Sequence, residues 1–192
     1  EVHSLEAGAV FMTDRFLSRE PILKQDLKQL RKHLKKQYKK FLPSDGRHLQ
    51  YLIGSGGTVT NIGRAVMAQR GESFDSVHGY EVLHSDIVHL LSMLLRCSPA
   101  ERGAVPGLNP ERGDVILAGV AVVEALMRYL GSNLLKINER GIREGLIIRS
   151  LEKHQLVSGS VPAPDWRHSV ESLVRSCQAN HTHARQVARL SL

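Results

Sequence analysis

The 192-residue sequence predicts an α/β protein, because strand-type and helix-type segments alternate from residue 1 to about residue 150. Hydrophobic residues make up 42% of the chain and charged residues 23%, which suffices for a sizeable core. After residue 150 a Ser/Pro/Gly-rich stretch is followed by helical patterns only. We therefore predict an α/β unit over residues 1–150, a linker over 151–164, and the incomplete start of an all-helical unit over 165–192.

The chain carries excess positive charge, with 26 Lys and Arg against 19 Asp and Glu and a formal net charge of +7. This favours an anionic partner such as a polyphosphate or a nucleotide, although a basic solubilising surface gives the same count. Aromatic residues are only 5% of the chain, which argues against nucleic-acid binding by base stacking. No run approaches the roughly 20 apolar residues of a membrane span. We expect neither nucleic acid nor membrane as a partner.

Two features bear on the origin of the chain. The only cysteines, Cys97 and Cys177, lie far apart without a metal-binding spacing, which is typical of a reduced, cytoplasmic protein. The opening residues EVHSLEAGAV contain neither an initiator Met nor a signal-peptide pattern. We interpret them as a cut within a longer protein.

The N-terminal third is predicted to contain an extended segment and a long helix. Residues 4–12 show small residues with weak alternation, which favours an extended segment. Leucine, Tyr and Phe then recur at helical spacing between Pro21 and Pro43 in PILKQDLKQLRKHLKKQYKKFLP. Lysines fill the other faces of this amphipathic helix. They form a solvated face or a contact surface for a polyanion.

A glycine-rich stretch follows the next predicted strand. The run HLQYLIG ends at GSGGT, and TVTNIGRAVMAQRG then reads as a helix that ends at Gly71. Backbone N–H groups at such a helix start can receive an anion, and glycines allow close approach. A tight turn with a threonine cap is the alternative. The stretch is not a P-loop, because no GK[ST] follows. The candidate anion-binding residues are Gly54, Ser55, Gly56, Gly57 and Thr58.

The second half of the α/β unit is predicted to be mostly helical. Residues 80–97 have the dense apolar stripe of a buried helix, and residues 98–101, SPAE, form a capping box. Residues 111–131 begin as a buried segment and become a helix. Residues 134–152 read as a strand, a turn at Gly141 and another helix.

Two arginines are candidates for phosphate contact. Arg112 precedes a buried run and can either pair with Asp114 or face a phosphate. Arg143 opens a helix, where its charge is unfavourable unless an anion offsets it. Gly119 indicates a close approach of the backbone, for example to a flat ligand. No Ser–His–Asp set, cysteine–base pair or convincing metal-ligand cluster is recognisable in the sequence.

Five segments in register resemble the exopolyphosphatase / guanosine pentaphosphate phosphohydrolase (Ppx/GppA) family. They are SLEAGAVFMTDRFL, IGSGGTVTNIGRAV, VHGYEVLHSDIVHLLSML, SPAERGAVPGLNPERGDVILAGVAVVEALM and INERGIREGLI. The resemblance covers residues 4–148, and the tail SVESLVRSCQANHTHARQVARLSL is similar to the start of the helical HD-type domain of that family.

The resemblance implies a fold, a reaction and a set of residues. The fold would be the second, ribonuclease H-like lobe of an actin-like ATPase / sugar-kinase type core, followed by a partial all-α segment. The reaction would release terminal phosphate from polyphosphate, or the γ-phosphate from pppGpp, with Mg²⁺, in a homodimer. GSGGT would match the family's glycine-rich loop, and Arg112 and Arg143 the arginines of its RADVI and GLREG motifs. Gly113 replaces the usual alanine of RAD, which we expect to be a mild change.

The resemblance also implies what this chain lacks. The family's catalytic glutamate and its GGGS loop lie upstream of residue 1, so the chain has no recognisable general base or magnesium-binding carboxylates. We expect no catalytic residue here, and we expect the chain alone to be inactive. A nucleotide (alarmone) binding module without turnover, and a sugar-kinase or ATPase relative, are the alternative interpretations.

Overall fold

The structure is a computed structural model that describes residues 2–42, 49–154, 156 and 180–190. Within these ranges the chain alternates helices and short strands, which agrees with the predicted α/β class. The strands are β1 Leu52–Ser55, β2 Glu81–Leu83 and β3 Leu134–Asn138. The helices are α1 Ala9–Phe16, α2 Lys24–Phe41, α3 Gly57–Gln69, α4 His84–Leu94, α5 Pro99–Gly103, α6 Ile116–Leu130, α7 Ile142–Lys153 and α8 His181–Leu190. A short 3-10 helix, Pro110–Arg112, precedes α6.

The three strands form one sheet in the order β1-β3-β2. β1 runs parallel to β3, with Leu52 opposite Leu135 and Ser55 opposite Asn138. β2 is an antiparallel edge strand, with Glu81 opposite Lys136. Because β1 and β3 are parallel, both end at the same edge of the sheet, and both lead there into a helix. The starts of α3 and α7 therefore lie beside each other.

The core is organised around α3 and α6. α3 contacts all three strands and α6, whereas α6 also contacts α1, α2 and α4. The apolar side chains of α3 other than that of Ala68 are buried, as expected for a helix covered on both sides. At Gly63 an added Cβ would lie 3.0 Å from Cγ1 of Ile137, so the glycine lets α3 lie close to the sheet. None of the described helices is long and apolar enough to cross a lipid bilayer.

The extended segment predicted over residues 4–12 is wrong, because α1 begins at Ala9. Met12 is fully buried and α1 packs on α6, so burial on a helix face decides the conformation. The hydroxyl of Thr13 donates to the Ala9 carbonyl at 2.9 Å within this helix. Short runs of small residues do not distinguish the two states by periodicity alone.

Two helix starts also differ from the prediction. α2 is confirmed as an amphipathic helix, but it begins at Lys24 rather than at Pro21, where Asp26 accepts the Leu23 N–H at 2.9 Å. The helix predicted from residue 80 begins only at His84, because Glu81–Leu83 pair with β3 as a strand. Tertiary pairing thus overrides the helical pattern of these three residues.

The remaining elements confirm the prediction within a few residues. Ser98 caps α5, and its side chain accepts the Glu101 N–H at 3.4 Å, as the capping box requires. α6 ends at Gly131, which has the left-handed conformation (φ 64°) typical of a helix C-cap. α8 lies where the last tail helix is predicted. Most of the predicted linker, 151–164, and the first tail helix lie outside the described residues.

Candidate anion-binding site

The two parallel strands bring two helix N-termini together. β1 ends at Ser55 and leads through Gly56 into α3, and β3 leads through Glu139–Gly141 into α7. The Ser55 hydroxyl donates to the Arg140 carbonyl at 3.0 Å and joins the two connections. Helix N-termini present unpaired N–H groups and a partial positive charge. This edge of the sheet therefore favours a negatively charged ligand.

The N-terminus of α3 has no side-chain cap. Gly56, with φ 102°, adopts a conformation that residues with a side chain rarely take, and directs the chain into the helix. The Thr60 hydroxyl donates to the Gly56 carbonyl at 3.1 Å instead of accepting an N–H. The threonine cap considered from the sequence is therefore not formed. The first N–H groups of α3 are left for an external acceptor.

Arg112 lies directly against this helix start. A Cβ added at Gly57 would stand 2.7 Å from Cζ and Nη2 of Arg112 and 2.9 Å from Nη1. Arg112 as a residue is half-buried, and its guanidinium forms no ion pair with Asp114 or with any other described residue. The Arg112–Asp114 pair considered from the sequence is therefore absent. The structure brings a cation to the same place as the uncapped N–H groups.

The loop that carries Arg112 is fastened to α3 by Asn61. The Asn61 side chain donates to the Gly57 carbonyl at 2.7 Å and accepts the Asn109 N–H at 2.6 Å. Only 8% of Asn61 is exposed, so both bonds are shielded from water. Asn61 is not among the residues predicted from the sequence. The hint of this residue in the sequence is a single amide side chain, in the stretch TNIG, among the apolar positions of the predicted helix.

Two glycines allow the same loop to lie on its neighbours. At Gly107, with φ 84°, an added Cβ would collide with the Arg64 carbonyl of α3. At Gly113 an added Cβ would lie 2.9 Å from the Gly103 nitrogen and the Pro99 oxygen. We expected alanine or glycine to be nearly equivalent at position 113. That expectation is wrong for this structure, because backbone atoms of α5 occupy the space.

Thr58 and Gly119 have packing roles. An added Cβ at Gly119 would meet Cγ2 of Thr58 at 2.6 Å, Oγ1 at 3.0 Å and Cβ of Ala9 at 3.4 Å. The sequence suggested that Gly119 allows the backbone to approach a flat ligand. In the structure, Gly119 instead permits a close approach of α6 to α3 and α1. The Thr58 side chain faces α6. Only its backbone N–H shares the environment of the helix start.

Arg143 lies in the first turn of α7, exposed and without a hydrogen bond or ion pair to a described residue. Its neighbour Glu144 accepts the Gly141 N–H at 2.6 Å. That hydrogen bond, together with the charges of Arg143 and Arg140, lowers the pKa of the Glu144 carboxyl. Glu144 is therefore an ionised cap, and Arg143 is available to an external anion.

Glu139 is the second carboxylate near this edge. It accepts hydrogen bonds from the Ser76 hydroxyl at 2.6 Å and from Arg64 at 3.0 Å. Burial raises the pKa of Glu139, but the hydrogen bonds and the Arg64 charge outweigh burial and lower it. Both carboxylates are thus engaged in structural bonds. The described residues contain no group of three His, Cys, Asp or Glu side chains that could hold a metal ion.

Comparisons with known proteins agree with this architecture. The chain superposes on the crystal structure of the Aquifex aeolicus Ppx/GppA family member with a TM-score of 0.70 and 23% identity, over 80% of this chain and 49% of that one. An exopolyphosphatase from Cytophaga hutchinsonii gives a TM-score of 0.67 at 19% identity, over 79% of this chain and 49% of that one. The predicted fold class, a ribonuclease H-like lobe of the actin-like type, is thereby confirmed.

Sequence comparison gives the same family. Exopolyphosphatase 2 of Mycobacterium tuberculosis is 27% identical over 153 residues, which are 76% of this chain and 47% of that protein. The chain thus spans about half the length of this relative. A sequence model of the Ppx/GppA phosphatase family matches residues 1–154. From this match and the shared fold, the chain belongs to the Ppx/GppA phosphatase family.

Proposed function

We propose that this chain supplies the phosphate-binding side of a phosphohydrolase that releases terminal phosphate from inorganic polyphosphate or from pppGpp. The observation that carries the proposal is the position of Arg112, whose guanidinium lies against Gly57 at the uncapped start of α3. A phosphate there would accept backbone N–H groups and a charge-assisted hydrogen bond together. The exopolyphosphatase names of two similar proteins support this substrate class.

The proposed contribution of the site is charge stabilisation. Phosphoryl transfer is catalysed mainly by positioning the phosphate and by neutralising charge on its oxygens. In the proposal, Gly56, Gly57 and Thr58 offer backbone N–H groups, Arg112 offers its guanidinium, and Arg143 approaches from α7. Gly54 and Ser55 are assigned to shaping the connection, because the Ser55 hydroxyl donates to the Arg140 carbonyl and Gly54 lies against the side chains of Val59 and Leu135.

General-base catalysis is not assigned to this chain. Glu139 and Glu144 have lowered pKa values and accept structural hydrogen bonds, which makes both poor proton acceptors. The described residues also offer no Mg²⁺ site, so none of them is assigned as a ligand for the metal that the family implies. The inactivity of the chain by itself therefore stays our prediction, as do the homodimer and the cytoplasmic location.

The engagement of both carboxylates also favours a second candidate function. A guanosine penta- or tetraphosphate binding module without turnover needs the anion site but no general base. Both candidates predict phosphate binding by this chain. They differ only in whether hydrolysis accompanies binding.

Calorimetric titration of the chain with tripolyphosphate and with pppGpp, at constant ionic strength, tests the binding site. We expect Arg112→Ala to weaken affinity by about 10- to 100-fold, because charge-assisted hydrogen bonds contribute about 1.5–3 kcal/mol. Arg96→Ala is the matched control, since Arg96 is an exposed arginine just beyond α4 and outside the segments proposed to bind the anion. Equal affinities for the two variants would exclude the proposed site.

Orthophosphate release in the presence of Mg²⁺, measured on the same samples, tests the assignment of catalysis. Binding without release from either substrate is the expected result for this chain. Release that is abolished by Glu139→Gln or Glu144→Gln would show that a base is present and would overturn the prediction.

A further inference from the structure

A second cationic cavity lies between α2 and α6. Its volume is about 360 Å³, within the range of small-ligand pockets. The lining residues are Arg31, Lys35, Tyr38, Ala125, Arg128 and Tyr129. Ala125 follows Gly119 by six residues, which is about 9 Å along the axis of α6. The cavity is therefore separate from the anion site at the start of α3.

The cavity carries uncompensated positive charge. Glu124, which is fully buried, pairs with two of the lining residues, with Arg31 at 3.4 Å and with Arg128. One carboxylate cannot neutralise two guanidinium groups. Lys35 adds a further charge and forms no ion pair with a described residue. A bound anion would relieve the repulsion among these three cations.

Two hydrogen-bond donors in the same cavity lack acceptors. The Nε of Arg31 and the hydroxyl of Tyr129 are buried without a hydrogen-bond partner among the described residues. Tyr38, by contrast, donates its hydroxyl to the Val122 carbonyl at 3.0 Å. Buried polar groups are nearly always hydrogen-bonded, so the two unpaired donors indicate an acceptor from outside the chain.

We propose that this cavity binds a phosphate-class oxyanion. Two guanidinium groups, one ammonium and two unpaired donors exceed what the two oxygens of a carboxylate can satisfy, whereas a phosphate group offers more acceptors. The source is either free orthophosphate or a segment of a longer polyphosphate. This inference concerns binding only and does not depend on the proposed phosphohydrolase reaction.

A groove that adjoins the cavity helps to distinguish free orthophosphate from a polyphosphate segment as the ligand. It has a volume of about 530 Å³, and Lys35 belongs to its lining as well as to that of the cavity. The other cationic residues of the groove are Arg15, Lys32, Lys36 and Lys39. A chain of linked phosphates seated in the cavity could continue over these lysines, whereas a single orthophosphate could not reach them.

Calorimetric titrations with orthophosphate and with tripolyphosphate test the inference, in the wild-type chain and in an Arg112→Ala background that weakens the α3 site. We expect Tyr129→Phe to lower the affinity of the remaining site at least fivefold without loss of thermal stability, because the hydroxyl has no partner in the free protein. We expect a similar loss for Lys35→Ala. Lys28→Ala is its matched control, since Lys28 is exposed on α2 and lines neither cavity nor groove.

The outcomes separate the possibilities. No second binding event in the wild-type chain, or equal affinities for Lys35→Ala, Tyr129→Phe and Lys28→Ala, would overturn the inference. Tighter binding of tripolyphosphate that Lys39→Ala weakens would identify a polyphosphate segment as the ligand. Equal binding of both probes, insensitive to Lys39→Ala, would identify orthophosphate. Failure of Arg112→Ala to affect the first site would count against the proposed function alone.

Discussion

Gly57 is the residue at which the backbone of α3 and the guanidinium of Arg112 meet. An added methyl group would overlap the end of the arginine side chain, which is flexible and can move away. We therefore expect Gly57→Ala to lower tripolyphosphate affinity by about tenfold, or about 1.4 kcal/mol, with an unchanged melting temperature. Calorimetry and thermal unfolding measure the two effects.

Gly145→Ala is the control for this prediction. Gly145 lies exposed within α7, with nothing within 4 Å of an added Cβ. Alanine there should raise the free energy of unfolding by about 0.5–1 kcal/mol through helix propensity and leave affinity unchanged. Undiminished affinity in Gly57→Ala would show that Arg112 does not act at this helix start.

Asn61 is the residue that sets the position of the Arg112 loop. Asn61→Ala removes a donor to Gly57 and an acceptor for Asn109, and it leaves a shielded N–H unpaired. We expect a loss of about 1–3 kcal/mol in the free energy of unfolding, measured with urea, together with weaker anion binding. Asn61→Asp retains the acceptor but adds a negative charge. Asn61→Asp should therefore lower the free energy of anion binding more than it lowers the free energy of unfolding. A larger effect on unfolding than on binding would contradict this role.

At the scale of elements, Glu139 connects the end of β3 to α3 and to the segment that carries Ser76. Its pKa in the folded protein lies below the ordinary value of 4.5, so its contribution to stability is present above pH 4.5 and is lost as the pH falls through the folded pKa. We expect the wild-type free energy of unfolding to fall more steeply on acidification below pH 4.5 than that of Glu139→Gln. Urea unfolding between pH 3 and pH 7 measures this difference. Parallel pH profiles would rule it out.

At the scale of the whole molecule, α6 is the helix on which the other helices converge, and Glu124 is its buried charge. Glu124 joins α2 through Arg31, the next turn of α6 through Arg128, and α4 through His84 at 3.6 Å. Removing one partner of a buried ion pair destabilises a protein by about 3–5 kcal/mol. We expect a loss of this size for Glu124→Ala, measured by urea unfolding, and less than about 0.5 kcal/mol for the exposed Glu152→Ala.

The substitution Glu124→Ala also tests how phosphate binding in the cavity affects stability. Without the Glu124 carboxylate, the cavity between α2 and α6 has three cations and no buried negative charge. Phosphate in excess should therefore restore more stability to Glu124→Ala than to the wild-type chain. Equal stabilisation of both proteins by phosphate would show that the Glu124 charge does not affect anion binding in the cavity.

Local sequence patterns were sufficient to predict most helices but not to predict which residues contact each other in the fold. The spacing of leucines predicted α2, and Ser98, Gly131 and Gly141 marked helix boundaries because capping is a local interaction. α1 and β2 were missed, since packing on α6 and pairing with β3 decide their conformations. The glycine-rich stretch was found through its composition. Asn61 was not, because its partner Asn109 is distant in the sequence.

Residue types and short-range spacing account for the α/β alternation, the basic charge, the glycine-rich helix start and the likeness to one phosphatase family, so these features could be recognised before the fold was known. The folded arrangement of the chain places Arg112 against Gly57 instead of pairing it with Asp114, and it leaves the α3 start without a side-chain cap. It also brought Arg31, Lys35 and Arg128 around one cavity. Such contacts join residues far apart in the chain, and the packing of α6 against its neighbours fixes them.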